Sequence, residues 1–186
     1  MPYESYWIAG DATIARVSWE AGPAEGELRQ LRELLARLSA IATRAELLRA
    51  VSACVEGFIG ASTFGVLERS AGRGVATLTW GRGDEALLRR VAGHARVRET
   101  LRYGTSHTGR VSRDGPAASP ALAEPVASIP FWGMGGNVCG ALVVAELLPP
   151  KCQLDSQDQR ILTLLASEVG RLLCTLAADD RAEGVA

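Results

Sequence analysis

Four cysteines, two histidines and one glycine-rich run are the parts of this chain with the most evident chemical potential. The glycines lie in "PFWGMGGNVCGALVVAEL", Pro130 to Leu147. A dinucleotide site requires G-x-G-x-x-G opening a helix, so that the amides of the helix end meet the pyrophosphate. Here Gly133 and Gly135 are followed by Val138 in place of the third glycine, and the next segment reads as a strand. There is no G-K-[ST], so a P-loop is excluded as well. "GMGGN" therefore predicts a hairpin turn, because Gly and Asn accept the positive φ that tight turns demand.

The cysteines (Cys54, Cys139, Cys152, Cys174) never form a C-x-x-C pair, and His94 and His107 are the two histidines. A zinc site or disulfide framework is not expected, and neither metal nor cofactor is assigned. Cys139 stands inside an apolar run where a small buried residue fits. Cys152 lies in an exposed-looking loop and is the best placed of the four for redox chemistry. Both histidines read as ordinary surface or half-buried residues.

Arginine is the stronger bias. Residues 82–113 hold eight arginines against three acidic residues, a net of +5; with the whole chain at −1, the remainder carries −6. Arg89, Arg96 and Arg110 or Arg113 are candidates to face an anionic ligand or an acidic partner, set against the plainer reading of a solvated helix face. A net charge of −1 argues against a nucleic-acid-binding surface. The N-terminus has neither a basic n-region nor an apolar h-region, and no run approaches the roughly 20 apolar residues that span a bilayer. A cytoplasmic, membrane-free protein is expected.

The elements that must position these residues follow from periodicity. Residues 1–26 read as an extension. Leu28, Leu31, Leu35, Leu38 and Ala42 then fall at 3-4-3-4 spacing, a helical seam. "TRAE" at Thr43–Glu46 is a capping box restarting a helix that stops at Gly60. "STFGVLE" and "GVATLTW" predict a strand pair, and "GDEALLRRVAGHARVRETLRYG" a single helix. "HTGRVSRDG" reads as a short strand, "VASIPFW" and "VCGALVVAEL" as a second hairpin, and the last helix starts at Asp155 or Ser156, with Gln159 completing a capping box. The order α-α-β-β-α-β-β-β-α predicts an α+β domain over 27–178: an antiparallel sheet of five or six strands with helices on at least one face. Residues 179–186 read as a disordered tail.

This order, with "SIPFW…GNVCGALVVAEL…LDSQDQRILTLLASEVGRLL", resembles the GAF domain, a bacterial small-molecule sensing module; the resemblance covers about residues 28–176. The C-terminal third is also similar to the GAF module of PelD-type biofilm regulators, although "RVSRD" has the wrong spacing for their companion "RxxD" site. The resemblance implies terminal helices on one sheet face and a ligand on the other, under a helix and loop cover. Phe64, Trp80, Tyr103, Phe131 and Trp132 are then candidate pocket walls beside Arg89, Arg110 and Arg113, each weighed against simple core packing. Phe131 and Trp132 are neighbours on a strand, so at most one can face the ligand. The family includes the free methionine-(R)-sulfoxide reductase, but no cysteine falls between Cys54 and Cys139, which departs from that enzyme. The N-K-F-D-E signature of cyclic-nucleotide-binding members and the Cys-His pair of phytochromes are also missing.

The last helix carries a second seam, Leu162, Leu165, Val169, Leu172 and Leu176, and both terminal helices hold further apolar residues off the seam (Leu34, Ile161, Leu164, Leu173). A helix apolar on two sides needs two partners. A homodimer is predicted through Leu28, Leu31, Leu35 and Leu38 with the C-terminal seam. The functional expectation is a non-catalytic sensory or regulatory domain that binds a small, nucleotide-like anion or a partner protein. The rivals are an interaction domain with a filled pocket and a thiol enzyme of the sulfoxide-reductase kind.

Overall fold

The computed structural model describes residues 36, 38, 40–69, 76–109, 124–133 and 135–183. The element order is α1 (Arg44–Cys54), a π-helical turn (Val55–Ile59), β1 (Ala61–Arg69), β2 (Ala76–Arg82), α2 (Glu85–Ala92), α3 (Ala95–Tyr103), β3 (His107–Thr108), β4 (Ala127–Trp132), β5 (Val138–Leu147) and α4 (Ser156–Glu183). The five strands form one antiparallel sheet in the order β2-β1-β5-β4-β3.

Local chemistry explains the boundaries. Thr43 caps α1 by accepting from the Glu46 amide, and the Glu46 carboxylate returns to the Thr43 amide at 3.1 Å. At the start of α4 the reciprocal box is Asp155 with Asp158 rather than Gln159: Asp158 N–H donates to Asp155 Oδ1 (2.8 Å) and Asp155 N–H to Asp158 Oδ2 (2.9 Å). The single helix expected over 84–104 is two. Gly93 caps α2, and His94 opens α3 by accepting the Arg96 N–H on Nδ1 at 3.3 Å. The backbone of α4 continues to Glu183, past the boundary set at 178, because "AADDRAE" is dominated by good helix formers.

Two apolar layers sandwich the sheet. On one face Phe64, Val66, Ile129, Phe131, Leu142 and Val144 pack beneath α1 and α4. On the other, Leu67, Ala141, Val143 and Ala145 meet Leu88 and Val91 of α2 and Val97 and Leu101 of α3. The C-terminal seam belongs to the first layer: Leu162, Leu165 and Val169 are fully buried within the chain, Leu172 nearly so, and Leu176 packs against the same core. Leu38 is 1% exposed in that layer, and the off-seam Ile161 and Leu173 are buried too. Leu38, Leu162, Leu165, Val169 and Leu172 thus find their cover inside the protomer, from the sheet and the α1 region, and not in an interface, while Leu164 and Leu176 are half-buried. The exposed stripe of α4 is Thr163, Ser167, Arg171 and Thr175, which is polar. Leu28, Leu31, Leu34 and Leu35 lie outside the described residues, as do Arg110 and Arg113.

Candidate functional site

The face under α2 and α3 is apolar at its centre, with Thr63 bonded to Glu146 and to the Asp84 amide at one end and a second polar group at the other. There α3 lays Thr100 onto the sheet edge, where β3 pairs with β4 so that His107 stands opposite Ser128. Thr100 and Ser128 are both 0% exposed. The Thr100 hydroxyl lies 2.8 Å from the Thr105 carbonyl, 3.1 Å from that of Arg96 and 3.5 Å from that of Ser128. One hydroxyl proton serves one acceptor at a time, so Thr100 is occupied by its own helix end. Among the described residues Ser128 Oγ has no hydrogen-bond partner, and His107 Nε2 makes no hydrogen bond. That nitrogen is 3.4 Å from Glu99 Oε2, in ionic range but not aligned for a bond. Arg96 reaches Glu124 at 3.6 Å on the rim. A buried hydroxyl without a partner costs about 1–3 kcal/mol. Thr100, His107 and Ser128, rimmed by Arg96, Glu99 and Glu124, are therefore the candidate site.

Of the residues predicted to line a pocket, few come together. Phe64 and Phe131 are 0% exposed on the opposite face, beneath α1 and α4, so they are core. Trp80 joins them, its ring centroid 5.7 Å from that of Phe64. A bulge is responsible: Val66 faces Trp80 and Leu67 faces Leu78, which leaves Thr79 unpaired and turns Trp80 to the face opposite Leu78. Arg89 projects from the outer side of α2, bonded to Glu85 at 2.6 Å, beside a shallow depression lined by Asp84, Glu85 and Ala86. Tyr103 and Trp132 do meet the end of α3: the Trp132 ring lies against Gly104, and Arg102 stacks over Tyr103 at 5.3 Å. Both aromatics are exposed, 63% and 42%. Thr100 and Ser128 were not singled out from sequence, and the available signal was the lone serine inside the apolar run "VASIP".

The thiols divide by environment. Cys54 is buried and Cys152 exposed. Burial, followed by the neighbouring Cys174 sulfur, pushes the Cys139 thiol from its ordinary value near 9 up to about 12. It is un-ionised at neutral pH, and the thiolate is the nucleophilic form. Among the described residues no three His, Cys, Asp or Glu side chains gather to hold a metal ion, and no helix is long and apolar enough to cross a membrane.

An open antiparallel sheet of order β2-β1-β5-β4-β3, with terminal helices on one face and two short helices covering the other, defines a GAF-type fold. Solved structures agree. The chain is similar to the GAF domain of a phosphoenolpyruvate-protein phosphotransferase from Coxiella burnetii, with TM-score 0.60, 17% identity, 89% of this chain and 100% of that chain. It is similar to the GAF domain of a protein assigned as a sensor histidine kinase from Pseudomonas syringae pv. tomato, with TM-score 0.55, 19% identity, 87% of this chain and 94% of that one. A methyl-accepting chemotaxis protein segment, residues 122 to 287, superposes with TM-score 0.56 at 15% identity, over 77% and 96%. No family model matches the sequence, and no curated protein matches it. The chain has the GAF fold.

Proposed function

We propose that this chain is a non-catalytic sensory or regulatory module that binds a small polar ligand beneath α3 and passes the event to α4. The observation that carries the reading is the buried, unpartnered Ser128 hydroxyl facing His107 on the sheet side covered by α2 and α3. A ligand group that bonds Ser128 and His107 recovers what their burial forfeits. The excess of arginine over 82–113 favours an anionic ligand. β4 is the route to α4: Ser128 sits on one face of the strand while Ala127, Ile129 and Phe131 contact the α4 layer on the other. A shift of β4 changes the packing of the terminal helix and biases two arrangements of it. The un-ionised Cys139 supports the non-catalytic reading over a thiol enzyme.

A second reading has its own support. Over the rest of that face Leu67, Leu88, Val91, Val97 and Val143 fill the space between sheet and helices, as in an interaction domain with a closed pocket. Thermal melting with nucleotides, cyclic dinucleotides and small carboxylates separates the two. A ligand at about 100 times its Kd adds roughly 2.7 kcal/mol, which for a domain of this size raises the melting temperature by about 5–10 °C. That rise should vanish in Ser128→Ala and shrink in His107→Ala. If no compound of these classes moves the wild-type melt, ligand binding fails and the interaction domain stands.

A further inference from the structure

The closing turn of the sheet brings two thiols together that strand alternation would keep apart. Between β4 and β5 the register slips: Phe131 stands opposite Gly140 and Trp132 opposite Val138, so Cys139 is the unpaired residue of a bulge. Simple alternation would point it with Ala141 and Val143 toward α2 and α3. Instead it packs against the layer under α4, where its sulfur approaches the Phe131 carbonyl at 3.5 Å. Cys174 descends from α4 to the same place. A Cβ built on Gly133 would sit 3.1 Å from Cys174 Sγ and 3.8 Å from Cys139 Cβ, so both side chains border the same space. Both residues are half-buried, and the Cys174 sulfur is close enough to help raise the Cys139 thiol. A side chain at Gly133 would crowd the Cys174 sulfur in this space.

We propose that Cys139 and Cys174 form a redox modification site, in which a peroxide oxidises the pair to a disulfide that ties α4 to the closing strand. The steps balance. The Cys174 thiolate attacks one oxygen of hydrogen peroxide, the O–O bond breaks, and the departing hydroxide takes a proton to leave as water; Cys174 is then a sulfenic acid. The Cys139 sulfur attacks that sulfenic sulfur, the S–S bond forms, the S–O bond breaks, and the oxygen leaves as a second water with the Cys139 proton. Two thiols lose two electrons in total, and the peroxide gains them. Cys174 is oxidised first and Cys139, held at this space by donating to the Phe131 carbonyl, resolves it, losing its proton as its sulfur attacks. The bond would join α4 to the start of β5, fixing the packing that a moving α4 needs free.

The test uses the full chain carrying Cys152→Ser, which removes an exposed thiol and leaves the folded interior untouched. The protein is treated with hydrogen peroxide without denaturant, alkylated, digested unreduced and measured by mass spectrometry. Expected are an intact mass lower by about 2 Da, paired loss of the Cys139 and Cys174 thiols, and a linked peptide holding both that dithiothreitol releases. Dimedone should label Cys174, not Cys139, in Cys139→Ser and Cys174→Ser respectively. Recovery of Cys139 and Cys174 both alkylated after such treatment, or linkage of either to Cys54 instead, overturns the proposal. The wild-type chain gives the same decision if a serine variant fails to fold.

Discussion

Lys151 is the one lysine of the chain, and its ammonium joins two elements. Its Nζ donates to Asp158 Oδ1 of α4 at 2.7 Å and to the Ile59 carbonyl, at the end of the π-helical turn, at 2.8 Å. The Asp158 side chain is 5% exposed and that of Lys151 29%. Substituting Lys151 by Met keeps the apolar stem but strands a buried carboxylate, held then by the Asp155 amide alone, and leaves the Ile59 carbonyl without this donor. Removing one partner of a buried pair costs about 3–5 kcal/mol. Because Lys151 is partly solvated, the lower end, about 3 kcal/mol, is expected. Asp158→Asn should cost less, about 1–2 kcal/mol, since the carboxamide oxygen still accepts and the ammonium can reach water. Urea denaturation followed by circular dichroism reads both. With m near 2–3 kcal/mol/M, Lys151→Met lowers the midpoint by about 1 M or more at unchanged m. If Lys151→Met stays within about 0.5 kcal/mol of wild type, or if Asp158→Asn proves the more damaging, the clamp is not what holds α4 to the end of the sheet.

Two further outcomes follow from close contacts and burial. At Gly170 a Cβ would lie 2.7 Å from the Trp132 carbonyl oxygen and 2.9 Å from its nitrogen, both backbone atoms that cannot step aside. Gly170→Ala gains about 1 kcal/mol of helix propensity but must lift α4 from β4 at about 1–3 kcal/mol, so thermal melting should show a net loss, and a raised melting temperature would contradict this packing. The Cys139 thiol is raised from near 9 to about 12, so between those values the unfolded chain ionises it while the folded one does not. Stability contributed by this group is whole below pH 9 and declines as pH rises toward 12; melting curves of wild type and Cys139→Ala should therefore diverge above about pH 9, with the wild type falling faster, and parallel curves would refute the assignment.

Local features were legible in the residues because they depend on neighbours a few positions away. The Thr43–Glu46 box, the "GMGGN" turn and the mixed α+β order rest on capping geometry, positive-φ residues and period, and the structure has each of them; the Gly133 amide donates to the Asn137 carbonyl at 2.9 Å, and Gly136 has φ +71°. Facing was less secure. Period-2 alternation assigns sides only while the register holds, and single extra residues at Thr79 and Cys139 turn Trp80 and the thiol to the other face. The leucine spacing of the last helix showed correctly that two apolar sides need cover. Whether the second cover was another copy or the chain's own α1 region depends on tertiary packing, which brings together residues more than a hundred positions apart. Ser128 is the clearest case. Its hydroxyl looks innocuous in "VASIP", and its meaning appears only when β3 and α3 close over it and leave it without a hydrogen-bond partner among the described residues.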